Sequence, residues 1–327
     1  MAQPEVSSPE TTLKCFRVYG IELALDWQPR APLSSGGERS GAVELTVQRV
    51  PSVPEPPGAE EPIAKGGELD GLYRMPEGFL FSFASIGRFH VTRERIAYAL
   101  SDDHYAYAIE LWLLGTVLSF WLEWQQRPAL HASAAVIDGQ AVGFMATNKG
   151  GKSSLAATLM QQGHPLLTDD ILSLTPGAPT LAHPGFPQMR MWPEQAAHFV
   201  PDKDALATVH PYIEKKRVPV DQQGIGGSFC DETRPLAALY LPERGDAVEA
   251  IRIEPMPQAE ALLMLVRESF VARLIEAAGW QGQRLGGLSE VVKNVPVRRL
   301  IYPNGVEHLP AVAAAVEDDV RTLSCRE

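Results

Sequence analysis

The chain has 327 residues, 40 of them acidic and 29 basic, giving a formal net charge of −11 and a pI near 5.3. That balance excludes broad nucleic-acid binding and attraction to an anionic membrane surface, while 45% hydrophobic and 21% charged residues is an ordinary globular composition. Cys15, Cys230 and Cys325 are odd in number and far apart, and the eight histidines fall without metal-ligand spacing, which excludes a disulfide scaffold and a zinc cluster. Met1 to Thr12 is polar and acidic, unlike a secretory leader, so the expected setting is cytoplasmic with reduced thiols. The length suits two domains, and we place them at 1–127 and 128–327.

In chain order, 13–100 reads as short strands between turn-rich loops. Strands are expected at Cys15–Tyr19, Val43–Val47, Phe79–Phe83 and Ile96–Leu100. The segment 51–67 holds five prolines and three glycines and reads as a loop. Residues 103–126 predict a helix. Its apolar run from Leu111 to Leu122 ends at Glu123 and falls short of the ~20 residues of a membrane span. Pro128–Ile137 and Gln140–Met145 then read as two strands joined by an Asp138-Gly139 turn, a hairpin signal.

The second strand runs into Ala146-Thr147-Asn148-Lys149-Gly150-Gly151-Lys152-Ser153, followed by the helix-forming Ser154–Met160. Strand, tight glycine turn and helix start bring successive backbone N–H groups around an anion, with the helix dipole adding to the attraction. In such a loop the lysine, here Lys152, reaches the β- and γ-phosphates, and the hydroxyl, here Ser153, ligates Mg²⁺. Gly163 closes the helix. His164 to Leu174 reads as another buried strand broken by Asp169 and Asp170. Two adjacent carboxylates in an apolar strand need partners. A strand end beside a cation supplies them, one carboxylate binding metal and the other facing an acceptor hydroxyl. Beyond lie a proline- and glycine-rich stretch, 175–235, with a loop at 222–228 suited to closing over ligands. A strand from Pro235, an amphipathic helix over 258–279, a strand over Val295–Tyr302 and a closing helix over 307–322 complete the pattern. Alternating strands and helices around the glycine turn predict an α/β core.

Leu130-His131-Ala132-Ser133-Ala134, Gly151-Lys152-Ser153-Ser154, Gly163-His164 and Asp169-Asp170 together resemble the catalytic core of the HPr kinase/phosphorylase superfamily, in particular its kinase-like branch found in peptide-natural-product gene clusters. Softer similarity runs through Pro184–Pro187, Met191–Pro193, Lys216–Pro219 and Val295–Leu300. The resemblance covers about 128–312. It implies an α/β P-loop kinase domain of HPr-kinase/PEP-carboxykinase type behind a smaller strand-rich α+β N-terminal domain. It implies ATP or GTP with Mg²⁺, bound by Ala146, Thr147, Asn148, Lys149, Gly150, Gly151, Lys152, Ser153 and Ser154. By the same resemblance, Ser153 and Asp170 organise the metal, Asp169 takes the proton from an acceptor serine, and His131 tunes that carboxylate. Arg217, with Lys216 and then Arg190 behind it, is the candidate to stabilise charge on the transferred group.

Two departures stand out. Ser154 occupies the place where the bifunctional enzymes carry a metal-holding Glu, and Ala146 replaces the first loop glycine. They point to forward kinase activity with little or no phosphorolysis. The expected partners are a nucleotide and a protein or peptide acceptor, with no nucleic acid and no membrane, and self-association is open. A nucleotide-binding scaffold without transfer, a small-molecule kinase and a PEP-carboxykinase-type enzyme are the competing readings. The last needs further metal and carboxylate-binding residues that are not found in the sequence.

Overall fold

The computed structural model describes residues 13–36, 42–56, 58, 61–84, 86–147, 149–210, 213–222 and 224–325. The N-terminal part is built on nine strands: β1 (Lys14–Val18), β2 (Ile21–Leu25), β3 (Ser34–Ser35), β4 (Leu45–Arg49), β5 (Ala64–Gly66), β6 (Leu69–Arg74), β7 (Phe79–Phe83), β8 (Gly87–Val91) and β9 (Arg95–Leu100). They form one sheet in the order β3-β1-β2-β4-β9-β8-β7-β6-β5. The expected strands are there, but more join them. β5 ends the segment read as a loop, while residues 57, 59 and 60 of that segment lie outside the described residues.

The helix expected over 103–126 forms as α1 (Ala106–Trp112) and α2 (Leu118–Trp124), joined by a π-helical turn at Leu113–Val117. Its apolar face closes the sheet. Phe120 packs edge-on against Phe79 and Phe81, with centroids 5.0 and 5.1 Å apart. Burying an aromatic side chain of this kind contributes about 1.5–3 kcal/mol, and Phe79, Phe81 and Phe120 are all buried.

The second sheet begins with β10 (Ala129–Leu130), β11 (Ala132–Ile137) and β12 (Gln140–Met145), followed by α3 (Lys152–Gln161), β13 (Leu166–Thr168), β14 (Leu172–Thr175) and β15 (Leu181–His183). β11 and β12 pair as the expected antiparallel hairpin, from Ala132 opposite Met145 to Ile137 opposite Gln140. Asp138 (φ 48°) and Gly139 (φ 82°) supply the two left-handed residues that such a turn requires. The stretch 175–235 is more ordered than its composition suggests. β16 (Gln188–Met191), α4 (Pro193–Phe199), β17 (Thr208–His210) and β18 (Ile213–Pro219) make a small sheet, β16-β18-β17.

The chain returns through β19 (Arg234–Gly245), β20 (Arg252–Pro255), α5 (Gln258–Arg267), α6 (Ala272–Ala278), α7 (Gln281–Asn294), β21 (Val297–Pro303) and α8 (Leu309–Ser324). The helix expected over 258–279 is broken at 268–271, where Ser269 bridges Leu130 and the Phe270 N–H donates to Ala129 O. Sheet order is β10-β14-β15-β19-β12-β11-β13, with β19 also parallel to β21, which pairs with β20. β19 runs parallel to β12 as well, so the central strands are parallel and hairpins flank them. Leu274, Ile275 and Ala278 of α6 enter the core of the N-terminal sheet. Among the described residues no helix is long and apolar enough to cross a membrane.

Candidate functional site

β12 ends at Met145 and α3 starts at Lys152, so the turn between them spans 146–151. Gly150 N–H donates to Thr147 O at 3.0 Å, and a Cβ on Gly150 would stand 2.4 Å from Ala146 Cβ. The turn closes only because Gly150 has no side chain. Gly151 caps α3 with φ 92°, a left-handed value that favours glycine. Lys149 is also left-handed, at φ 63°. Asn148 lies outside the described residues. Lys152 is buried at 7% exposure, and its ammonium donates to Ala146 O at 2.6 Å and Thr147 O at 3.4 Å. Burial lowers its pKa, against the raising influence of Asp169, Asp170 and Glu268.

The carboxylates sit where β13 ends. Thr168 is its last residue, and the Thr168 hydroxyl closes the turn by donating to Ile171 O at 2.6 Å. Asp170 takes φ 78°, uncommon for a residue with a side chain. This backbone leaves regular strand alternation, and both carboxylates reach Arg190. The Arg190 N–H donates to Asp169 Oδ2 at 2.8 Å, and Arg190 Nη1 to Asp170 Oδ2 at 2.9 Å.

Their other partners separate them. Asp169, buried, accepts from the Ser153 hydroxyl at 2.8 Å and the Ser133 hydroxyl at 2.5 Å, both on Oδ1. Asp170 Oδ1 lies 3.4 Å from His131 Nε2. Burial alone would raise the pKa of Asp170, but the His131 hydrogen bond and then the charges of Arg190, His131 and Lys215 outweigh it and hold the group well below the usual carboxylate range. The sequence reading grouped Ser153 with Asp170 and His131 with Asp169. The geometry pairs them the other way, because the left-handed Asp170 backbone turns that side chain off the strand and toward His131.

His131 occupies the break between β10 and β11. Its N–H donates to Glu268 O at 2.8 Å, and the Phe270 ring stands T-shaped against the imidazole at 5.6 Å. A cleft of about 440 Å³ brings together His131, Ser133, Lys149–Ser154, Asp170 and Arg190. Lys215 and Arg244 add two further cations, and Trp192 forms a wall with Lys149 Nζ 5.0 Å and Lys215 Nζ 5.8 Å from its ring. Gln195 Nε2 donates to the Ser154 hydroxyl at 2.6 Å.

Arg217 is not brought to this cleft. Its guanidinium donates to Val209 O at 3.1 Å beside Glu110, and burial lowers its pKa. Lys216 turns to Leu206 O at 3.2 Å. Lys215, one residue earlier, is the β18 cation that enters, and sequence reasoning passed over it. The loop at 222–228 does not line the cleft. Ile225 is buried against Met160 and Val220, and Ser228 O accepts from Leu166 N at 2.9 Å; Gln223 lies outside the described residues.

The donor set around Asp169 suits a small hard cation. Asp169 Oδ1 and the Ser133 and Ser153 hydroxyls are oxygen atoms within hydrogen-bond reach of one another. No group of three or more His, Cys, Asp or Glu side chains that could hold a metal occurs among the described residues. Mg²⁺ fits such a place, because it is bound by one or two carboxylates together with water and substrate phosphates.

No family model matches the chain, and no curated protein matches it. Among solved structures it bears a distant likeness to the Hpr(Ser) kinase/phosphatase from Coxiella burnetii, at 13% identity and a TM-score of 0.31, over 61% of this chain and 99% of that one.

Proposed function

We propose that this protein is a Mg²⁺- and nucleoside-triphosphate-dependent kinase, ATP or GTP being the donor, that phosphorylates a serine-type hydroxyl on a small protein or peptide. One observation carries the reading: Lys152 and Ser153 open a helix after a glycine turn, and the Ser153 hydroxyl meets the Asp169 carboxylate at the end of β13. A cation, a hydroxyl and a carboxylate thereby converge at the start of α3, and a helix N-terminus attracts phosphate through its first-turn N–H groups.

Lys152 would exchange the carbonyls of Ala146 and Thr147 for β- and γ-phosphate oxygens, and its burial strengthens that attraction. Ser153 and Asp169 would hold Mg²⁺, which neutralises charge on the phosphates. Asp170 lines the cleft beside His131, so it is the carboxylate open to an acceptor. It accepts the hydroxyl proton as the acceptor oxygen bonds to the γ-phosphorus and the bond to the bridging oxygen breaks, releasing the diphosphate. His131 and Arg190 orient it. Lys215, Lys149 and Arg190 are near enough to stabilise the transferred group. This division of the carboxylates reverses the one that the sequence resemblance implies, and it rests on the partners that each of them has.

Paired substitutions test it. Asp169→Asn should raise the Mg²⁺ requirement tenfold or more. Asp170→Asn should leave nucleotide affinity near normal and slow transfer by about 10²–10⁴, the usual worth of a positioned base. Full transfer rates in Asp170→Asn, with loss only in Asp169→Asn, would return the base to Asp169.

A further inference from the structure

Phosphoryl transfer, as set out above, leaves Trp192, Gln195 and Arg244 of the cleft unused. Their contacts run to the glycine turn and the first turn of α3. Arg244 Nη2 donates to Lys149 O at 2.7 Å, Gln195 Nε2 donates to the Ser154 hydroxyl, and Lys149 Nζ lies 5.0 Å from the centroid of the Trp192 ring. Trp192 itself is half-buried. It is mounted between β16 and α4, with Pro193 opening the helix behind it at a fixed φ. A rigid aromatic wall therefore stands beside the place proposed for phosphate.

The face of such a ring attracts either a cation or another π system. Lys149 and Lys215 are the cations against it, at 5.0 and 5.8 Å. Lys149 is able to change partner. Its backbone is held in the left-handed region at φ 63°, with its carbonyl on Arg244, while the residue is exposed. A triphosphate carries full charges, which draw an ammonium more strongly than the quadrupole of a ring does. Moving Lys149 Nζ from ring to phosphate uncovers the indole in the same event that brings a nucleoside into the cleft. At about 440 Å³ the cleft has the size of a site for a whole small-molecule ligand.

We infer that the base of the nucleotide donor stacks on Trp192, taking the place of Lys149, and that adenine and guanine are both accepted. A ring face contacts the π surface that every base has and reads no hydrogen-bonding edge. The inference rests on the kinase reading and specifies the donor of that same site.

The test is calorimetric titration of the full chain, Trp192→Leu and Trp192→Phe with Mg-ATP, Mg-GTP and Mg-tripolyphosphate, the last carrying phosphates without a base. Trp192→Leu should weaken ATP and GTP by roughly 5–100-fold, the usual worth of one base on an aromatic ring, and leave tripolyphosphate within about twofold. Trp192→Phe keeps a flat ring and should recover most of the loss. Equal losses for tripolyphosphate and the nucleotides would mean that Trp192 only holds the lysines. A loss confined to one nucleotide would mean that a base edge is read, and unchanged nucleotide affinity that no base touches the ring. Each of these overturns the platform and leaves the phosphate site intact. If Trp192→Leu does not fold, tryptophan fluorescence decides: ATP but not tripolyphosphate should quench the wild type, and quenching that persists in Trp192→Phe overturns the platform. A wild type that binds neither nucleotide nor tripolyphosphate overturns the kinase reading as well.

Discussion

Replacing Arg284 by methionine should be strongly destabilising, because it breaks a buried ion pair. The guanidinium is 5% exposed and paired with Glu123, itself 4% exposed, and it also donates to the Ser269 hydroxyl. Burial pushes Arg284 down to about 9, still charged at neutral pH. Removing it leaves the Glu123 carboxylate buried without its cation, a change worth about 3–5 kcal/mol. At roughly 2–4 °C per kcal/mol that lowers Tm by about 6–20 °C. Glu123 also accepts from the Ala129 N–H at 2.7 Å, so the pair anchors the strand that leads into His131. The double change Glu123→Met, Arg284→Met removes both charges and strands only the Ala129 N–H, at about 1–3 kcal/mol. It should therefore be more stable than Arg284→Met alone. Urea denaturation of the wild type, both singles and the double closes the cycle. An Arg284→Met loss under about 1 kcal/mol, or a double no better than the single, would refute the reasoning.

Two other expectations concern pH and the glycine turn. Burial and then the charge of Arg127 push His183 down to about 4 from 6.5; its ring is held neutral between the Thr175 and Thr233 hydroxyls. The unfolded chain binds the extra proton below 6.5, so stability should fall as pH drops from 6.5 toward 4, by about 1.4 kcal/mol per unit and about 3 kcal/mol in all. It should be flat above 6.5 with respect to this group, and urea midpoints at pH 7, 6 and 5 in wild type and His183→Gln show whether the slope belongs to His183. Gly150→Ala places a methyl 2.4 Å from Ala146 Cβ and 2.9 Å from Thr147 O. Nucleotide affinity should drop at least tenfold, and equal affinity by titration would mean that the turn does not hold phosphate.

What could be read from the sequence was local. Asp138-Gly139 declares its hairpin through turn chemistry, and the turn before Lys152 declares itself through Gly150 and Gly151. The apolar run ending at Glu123 declares a buried helix. The partners of the two aspartates were not legible, since they depend on the left-handed backbone of Asp170 and on Arg190 arriving from β16. Lys215 was not legible either: alternation puts it on the same strand face as Arg217, yet Arg217 turns to Val209 O and only Lys215 enters the cleft, a difference set by how β18 is packed. Ser133 was in view beside His131, but only β11 lying next to β13 gives it Asp169 as a partner. The break between α5 and α6 was hidden because Ser269 and Phe270 fit a helix in composition, and their bridge to Leu130 and Ala129 is a long-range contact.

Calorimetric titration of Mg-ATP into the full chain and into Lys152→Met tests the central claim most directly, with Mg²⁺ alone and ATP in EDTA as parallel arms. Saturable one-to-one binding to the wild type is expected, weakened tenfold or more by Lys152→Met and by EDTA, with no binding of Mg²⁺ alone because the phosphates supply most of its ligands. Equal binding by Lys152→Met, or no nucleotide binding by the wild type, would contradict the assignment of a phosphate site to the turn before α3.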